Sequence, residues 1–181
     1  MAKVYVLLAH GFETVEALTP VDVLRRCGVE CVTVAVGDAL EVQSSHGVTV
    51  LADRMMKDGG LDDGGALVLP GGFPGYRNLA DSAEVGDWLR QYEASGRLIA
   101  AICGAPSVLS ANGILSGSAL TCHTSVRDRM THYRLIPEGV VADGRLITAA
   151  GAGWSLEFAL HIAERLCGAE AVRAVRRKME I

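Results

Sequence analysis

Aromatic residues are scarce, at 5% of the 181-residue chain, and no segment approaches the roughly 18 consecutive apolar residues that a membrane-spanning helix requires. The five cysteines, Cys27, Cys31, Cys103, Cys122 and Cys167, include no CxxC pair, which argues against a structural zinc site. No secretory leader pattern opens the chain, because the apolar run after Lys3 stops at His10. The odd cysteine count and the missing leader point to reduced thiols and a cytoplasmic location. Excess charge of one sign is also missing. The formal net charge is −4, so neither nucleic acid nor a membrane is an expected partner. The basic cluster Arg173, Arg176, Arg177 and Lys178 reads as cations complementing the dipole at a helix end. There is no repeat, linker or low-complexity tract, so residues 1–181 are expected to form one domain. The glycine turn Pro70-Gly71-Gly72 lacks the GxxxxGK[ST] pattern of a phosphate cradle.

Half of the residues are hydrophobic and 21 are glycine, a composition suited to tight turns and close helix–sheet packing. Continuous apolar runs at 3–9, 65–69 and 97–102 read as buried parallel strands, and the β-branched, alternating stretch 29–36 as another. Shorter strands are expected at 119–123 and at 145–149, the latter after an Asp143-Gly144 turn, and a hairpin over 41–51 through Ser44–Gly47. Val15, Leu18, Val21 and Leu24 recur at helical spacing in a helix over 13–27 distorted near Pro20. Further helices are expected at 82–95, ended by Gly96, at 105–111, opened by Pro106, and at 153–166 and 169–178. Strands alternating with helices imply an α/β domain with a mostly parallel sheet covered on both faces. Sites in such sheets lie beyond the carboxyl ends of the strands. Glu13–Glu16, Gly71-Gly72 and Cys103 all fall there.

The segment Ala100-Ala101-Ile102-Cys103-Gly104-Ala105-Pro106 has the layout of a nucleophile elbow, with a buried strand, a reactive side chain, small residues, and a proline at a helix start. A helix N-terminus would stabilise a Cys103 thiolate and lower its pKa, and its free N–H groups can hold an oxyanion. The alternative is that Cys103 is a small, inert core residue. A Gly72 N–H could complete an oxyanion hole beside Cys103, or the glycines could be a plain strand-end turn. Glu16 reads either as a solvated glutamate near a helix N-terminus or as a buried acid facing the Cys103 sulfur. In the second case its pKa is raised and it moves protons. His123 follows a strand end and could reach the same crevice. His161, with Glu164 three residues on, reads as packing or a surface pair.

Taken together, these residues resemble the ThiJ/PfpI family over almost the whole chain, and within it the subgroup of the Parkinson-disease-associated deglycase. The resemblance is carried by Glu13-Thr14-Val15-Glu16 with Pro20-Val21-Asp22-Val23, by Val68-Leu69-Pro70-Gly71-Gly72, by Leu98–Cys103 with Pro106, by Thr121-Cys122-His123, and by Gly151, Gly153, Ser155 and Glu157–Leu160. It implies a flavodoxin-like three-layer sandwich of the class I glutamine amidotransferase type, usually a homodimer, that works without a cofactor or metal. It assigns Cys103 as a low-pKa, readily oxidised nucleophile, Glu16 as its partner carboxyl group, His123 as a pocket histidine, and Gly72 and Gly104 as the oxyanion amides. The implied activity is on reactive 2-oxoaldehydes or on glycated protein, through a hemithioacetal on Cys103. A redox sensor or stress chaperone with an oxidisable Cys103 is the alternative, and a link to thiazole monophosphate biosynthesis ranks third. Gly104 stands where the protease-like branch has a histidine, and His161–Glu164 has the wrong spacing for an amidotransferase pair, so both those activities are disfavoured. Phe73, His46, Thr124 and Leu51 depart from the subgroup's usual residues and bear on pocket specificity and on the dimer.

Overall fold

The structure, a computed structural model, describes residues 3–181. The strands are β1 (Lys3–Ala9), β2 (Glu30–Val36), β3 (Glu41–Gln43), β4 (Thr49–Leu51), β5 (Arg54–Met55), β6 (Ala66–Leu69), β7 (Leu98–Ile102), β8 (Ala119–Leu120), β9 (Arg134–Leu135), β10 (Val140–Asp143) and β11 (Leu146–Ala149). The helices are α1 (Thr14–Arg26), α2 (Gly75–Asp81), α3 (Ala83–Ala94), α4 (Pro106–Asn112), α5 (Ser155–Cys167) and α6 (Ala169–Lys178).

Seven strands form the central sheet in the order β10-β11-β7-β6-β1-β2-β5. All neighbours run parallel except β10 against β11, which turn back on each other through Asp143-Gly144. The alternate residues of β1 explain the layering. Val4, Val6 and Leu8 face a core shared with α1, α5 and α6. Tyr5, Leu7 and Ala9 face a second core shared with α2, α3 and α4. Both faces of β1 are sealed, which is why its sequence is a continuous apolar run rather than an alternating one. This is the mostly parallel three-layer α/β sandwich, of flavodoxin-like type, expected from the sequence.

The helices begin and end for local reasons. Ser82 accepts a hydrogen bond from the Val85 N–H and so caps α3. Pro106 occupies the first turn of α4, and Gly113, at φ 69°, closes it in the left-handed conformation. Pro20 lies inside α1 without breaking it, and because proline has no N–H, the Glu16 carbonyl loses its intrahelical partner. Among the described residues, no helix is long and apolar enough to cross a membrane.

Three local expectations need correction. The strand expected at 119–123 stops at Leu120 and lies outside the central sheet, paired with β9. Its continuation is diverted, since the Thr121 N–H donates to Thr148 Oγ1 at 2.9 Å and the His123 N–H donates to the Cys103 carbonyl at 2.9 Å. The stretch Gly75–Asp81, for which the sequence suggests no helix, forms α2. On α1, Val15 is exposed and Leu18 only half-buried, whereas Glu16, Ala17, Pro20, Val21, Val23 and Leu24 are buried. The buried face is therefore rotated from the one that the apolar spacing suggests, and it carries Glu16 inward.

Candidate active site

The strand order reverses between β1 and β6, and the crevice beyond their carboxyl ends is where doubly wound sheets place ligands. Four segments converge there: α1 after β1, the glycine turn after β6, Cys103 after β7, and His123 after β8. They surround a cleft of about 540 Å³ lined by Glu16, Gly72, Cys103, Gly104 and His123 together with Glu13, Phe73, Tyr76 and Arg77. All five residues singled out from the sequence meet at one place.

Cys103 holds a backbone conformation that few residues adopt, with φ 64° in the left-handed region. Both of its backbone groups are tied down. Its N–H donates to the Ala149 carbonyl at 2.8 Å, and its carbonyl accepts from the His123 N–H. A strained turn persists only where its surroundings over-determine it, and such turns concentrate at functional sites. The half-buried thiol faces the cleft, close enough to the N–H groups of Gly104 and Gly72 for both to favour its charged form.

Glu16 is fully buried. Its Oε2 accepts from the Gly71 N–H at 2.8 Å. Its Oε1 is sealed from water and finds no partner of good hydrogen-bond geometry, the Cys103 side chain being the polar group in reach. Burial pushes the Glu16 carboxyl up to about 7, against the smaller pull of the Gly71 N–H and of Cys103. Such a group is poised to hold or release a proton near neutrality.

The expectation of a lowered Cys103 pKa does not hold. Burial first, and then the Glu16 carboxylate, push the thiol up to about 12, and the Gly104 and Gly72 amides offset only part of this. The helix that was to supply the dipole is only seven residues long and begins three residues beyond the cysteine. Once Glu16 is protonated the repulsion vanishes and the carboxyl can donate to the sulfur. The pair therefore behaves as two sites sharing one proton. Burial also raises Cys31 to about 12 and Cys122 to about 11. What sets Cys103 apart is the cleft, the two amides and the acid beside it.

His123 is exposed at the rim. Its Nδ1 accepts from the Ser125 N–H at 3.3 Å and lies 2.8 Å from Ser125 Oγ, which places the proton of the neutral ring on Nε2. Glu13 is held by the Ser45 hydroxyl at 3.0 Å and lies 3.4 Å from His46 Nδ1. Sequence reasoning did not single out Tyr76, Arg77 or Arg129, which also line the cleft. Arg77 left no readable signal because the helix carrying it was not recognised.

Residues 2–165 match the model of the DJ-1/PfpI family. The chain is similar to the Drosophila melanogaster protein dj-1beta, at 41% identity over 172 residues, 94% of this chain and 92% of the relative. It is similar to a glutathione-independent glyoxalase, DJR-1.2, of Caenorhabditis elegans, at 36% identity over 165 residues, 90% of this chain and 87% of that one. The crystal structure of Drosophila melanogaster DJ-1beta superposes with a TM-score of 0.96 at 38% identity, covering 99% of this chain and 98% of that one.

Proposed function

The chain belongs to the DJ-1/PfpI family, and from that premise we propose that it is a cysteine enzyme converting reactive 2-oxoaldehydes to 2-hydroxy acids without a cofactor. The observation that carries the reading is the Glu16 carboxyl group, sealed from water beside Cys103 and raised to about 7. The relative named as a glutathione-independent glyoxalase supports it at the level of the family.

The chemistry follows from the positions. The Cys103 thiol passes its proton to Glu16, and the sulfur attacks the aldehyde carbon to give a hemithioacetal. The Gly72 and Gly104 N–H groups, close to the sulfur, stabilise the oxyanion that forms beside it. Glu16 gives the thiol proton to the oxyanion and, ionised again, takes the proton from the former aldehyde carbon and delivers it to the neighbouring carbon, while the hydroxyl proton passes to the neighbouring oxygen, leaving a 2-hydroxyacyl thioester. Water hydrolyses the thioester, releases the hydroxy acid and restores the thiol. The His123 Nε2–H donates to a substrate oxygen at the rim. The same steps on an aldehyde-modified amine or thiol would register as deglycation.

The test is lactate formation from methylglyoxal by wild type and by Cys103→Ser at equal folded concentration. We expect a loss of at least about a thousandfold in the variant, since a serine hydroxyl is far harder to ionise than a thiol and lacks its nucleophilicity. Equal turnover would remove Cys103 from the mechanism. No turnover in either protein would overturn the reading and favour the redox sensor, in which mild peroxide adds oxygen to Cys103.

A homodimer is part of the proposal. Val15, Val48 and Leu51 are exposed apolar residues on α1 and on the β3–β4 hairpin, which adjoin through the Thr14 Oγ1–Ser44 Oγ hydrogen bond of 2.9 Å. Light scattering should give twice the chain mass for wild type and a shift toward the monomer for Leu51→Asp. A monomeric wild type would reject the dimer.

A further inference from the structure

A second cavity of about 180 Å³ lies beside the Cys103 cleft, between α2 and α4. Tyr76, Arg77 and Arg129 line both spaces and so form the junction between them. Arg77 lies on α2, and Arg129 ends the 3₁₀ turn Thr124–Arg129. Among the described residues, neither guanidinium takes part in an ion pair, although five other arginines do.

Both residues are exposed, and each is anchored in a different way. The Arg77 guanidinium lies 4.8 Å from the centre of the Phe73 ring, an arrangement that fixes a long side chain without neutralising it. The Ser110 hydroxyl donates to the Arg129 carbonyl at 2.6 Å and so ties the turn to α4. The acids of the cleft are directed elsewhere. Glu13 faces Ser45 and His46, and Glu16 is buried behind the sulfur. A planar guanidinium fork that lines the cleft and is unpaired matches a carboxylate. Methylglyoxal has no charge and leaves most of a 540 Å³ cleft unfilled.

We infer that Arg77 and Arg129 form an anion subsite, and that the favoured substrates are 2-oxoaldehydes with a terminal carboxylate. The inference rests on the proposed reaction for its aldehyde half, while the subsite stands on the two arginines alone. The aldehyde reaches Cys103, and the tail extends past Tyr76 to the two guanidinium groups.

Two measurements on wild type, Arg77→Gln/Arg129→Gln and Arg77→Lys/Arg129→Lys separate these halves. The first is the ratio of kcat/KM for 4,5-dioxopentanoate, a 2-oxoaldehyde with a carboxylate tail, to that for methylglyoxal. The second needs no turnover. It is the ratio of alkylation rates at Cys103 for iodoacetate and iodoacetamide, read on the Cys103 peptide by mass spectrometry. Both ratios are expected to fall at least about tenfold in the Gln pair, to recover partly in the Lys pair, and to fall with added salt in wild type. If neither aldehyde is turned over and the alkylation ratio still falls, the subsite stands and the proposed reaction fails. Ratios unchanged in the Gln pair and insensitive to salt would overturn the subsite.

Discussion

Glu16→Gln is expected to lower methylglyoxal turnover by about 10²–10⁴-fold, the usual worth of a positioned acid–base group, while making the folded protein more stable above pH 7. The two effects have one cause. The carboxyl is raised from 4.5 to about 7 because burial disfavours its charge. In the unfolded chain it ionises near 4.5, whereas in the folded protein it keeps its proton until about 7. Stability from this group is therefore fully present below about pH 4.5, falls as the pH rises toward 7, and stays low above it. A shift of that size corresponds to about 3 kcal/mol. Glutamine keeps the shape and an oxygen for the Gly71 N–H but never ionises, so it escapes the loss. Urea unfolding at about pH 4 and pH 8 should show the variant gaining on wild type between them. Parallel pH dependence in the two proteins would mean that Glu16 is not the buried acid described. Activity gives the matching signature. The Cys103–Glu16 pair sheds its first proton near pH 7, so wild-type kcat/KM should rise through that region, and the variant should lose the inflection.

The sequence carried Cys103 more clearly than Glu16, for a physical reason. A nucleophile at a strand-to-helix turn needs a buried strand before it, small residues around it and a helix start after it. All three are local, and Ile102, Gly104 and Pro106 display them. Burial of Glu16 depends instead on how α1 rolls against the sheet and α5, which no local pattern encodes. The spacing of Val15, Leu18, Val21 and Leu24 even points to a neighbouring face, because Val15 is exposed. The resemblance to the family, and not the periodicity, identified Glu16. The direction of the Cys103 pKa was misjudged for a related reason. The dipole of a following helix can be read from Pro106, but the desolvation and the facing carboxylate that outweigh it exist only in the assembled core. Short elements were the least legible. The helix α2 follows a Pro-Gly-rich turn, and β8 ends where Thr121 and His123 give their N–H groups to other segments.

Gly71→Ala is expected to damage catalysis more than folding, and Gly72→Ala to damage both. A Cβ on Gly71 would lie 2.7 Å from Glu16 Oε2, 2.8 Å from Cys103 Cβ and 3.0 Å from the Ile102 carbonyl oxygen. It would press on both members of the reactive pair and part them. Gly71 is not in the left-handed region, so the cost is that of overpacking alone, about 1–3 kcal/mol. Misplacing reacting groups by a fraction of an ångström to an ångström costs about a hundredfold in rate. Gly72 differs in kind. At φ 87° its conformation disfavours any side chain, and a Cβ there would collide with the Glu13 backbone nitrogen and lie 2.5 Å from the Gly11 carbonyl oxygen. Backbone cannot swing aside as a side-chain end can, so the loss should reach about 3 kcal/mol or more. Thermal unfolding and methylglyoxal turnover on the two variants test this order. Gly71→Ala that is folded and fully active would show that Glu16 and Cys103 work without their close approach, and the shared-proton account of the site would fail with it. The expected outcome, a folded Gly71→Ala with turnover down about a hundredfold, would tie the rate to the spacing of the acid and the thiol that this glycine permits.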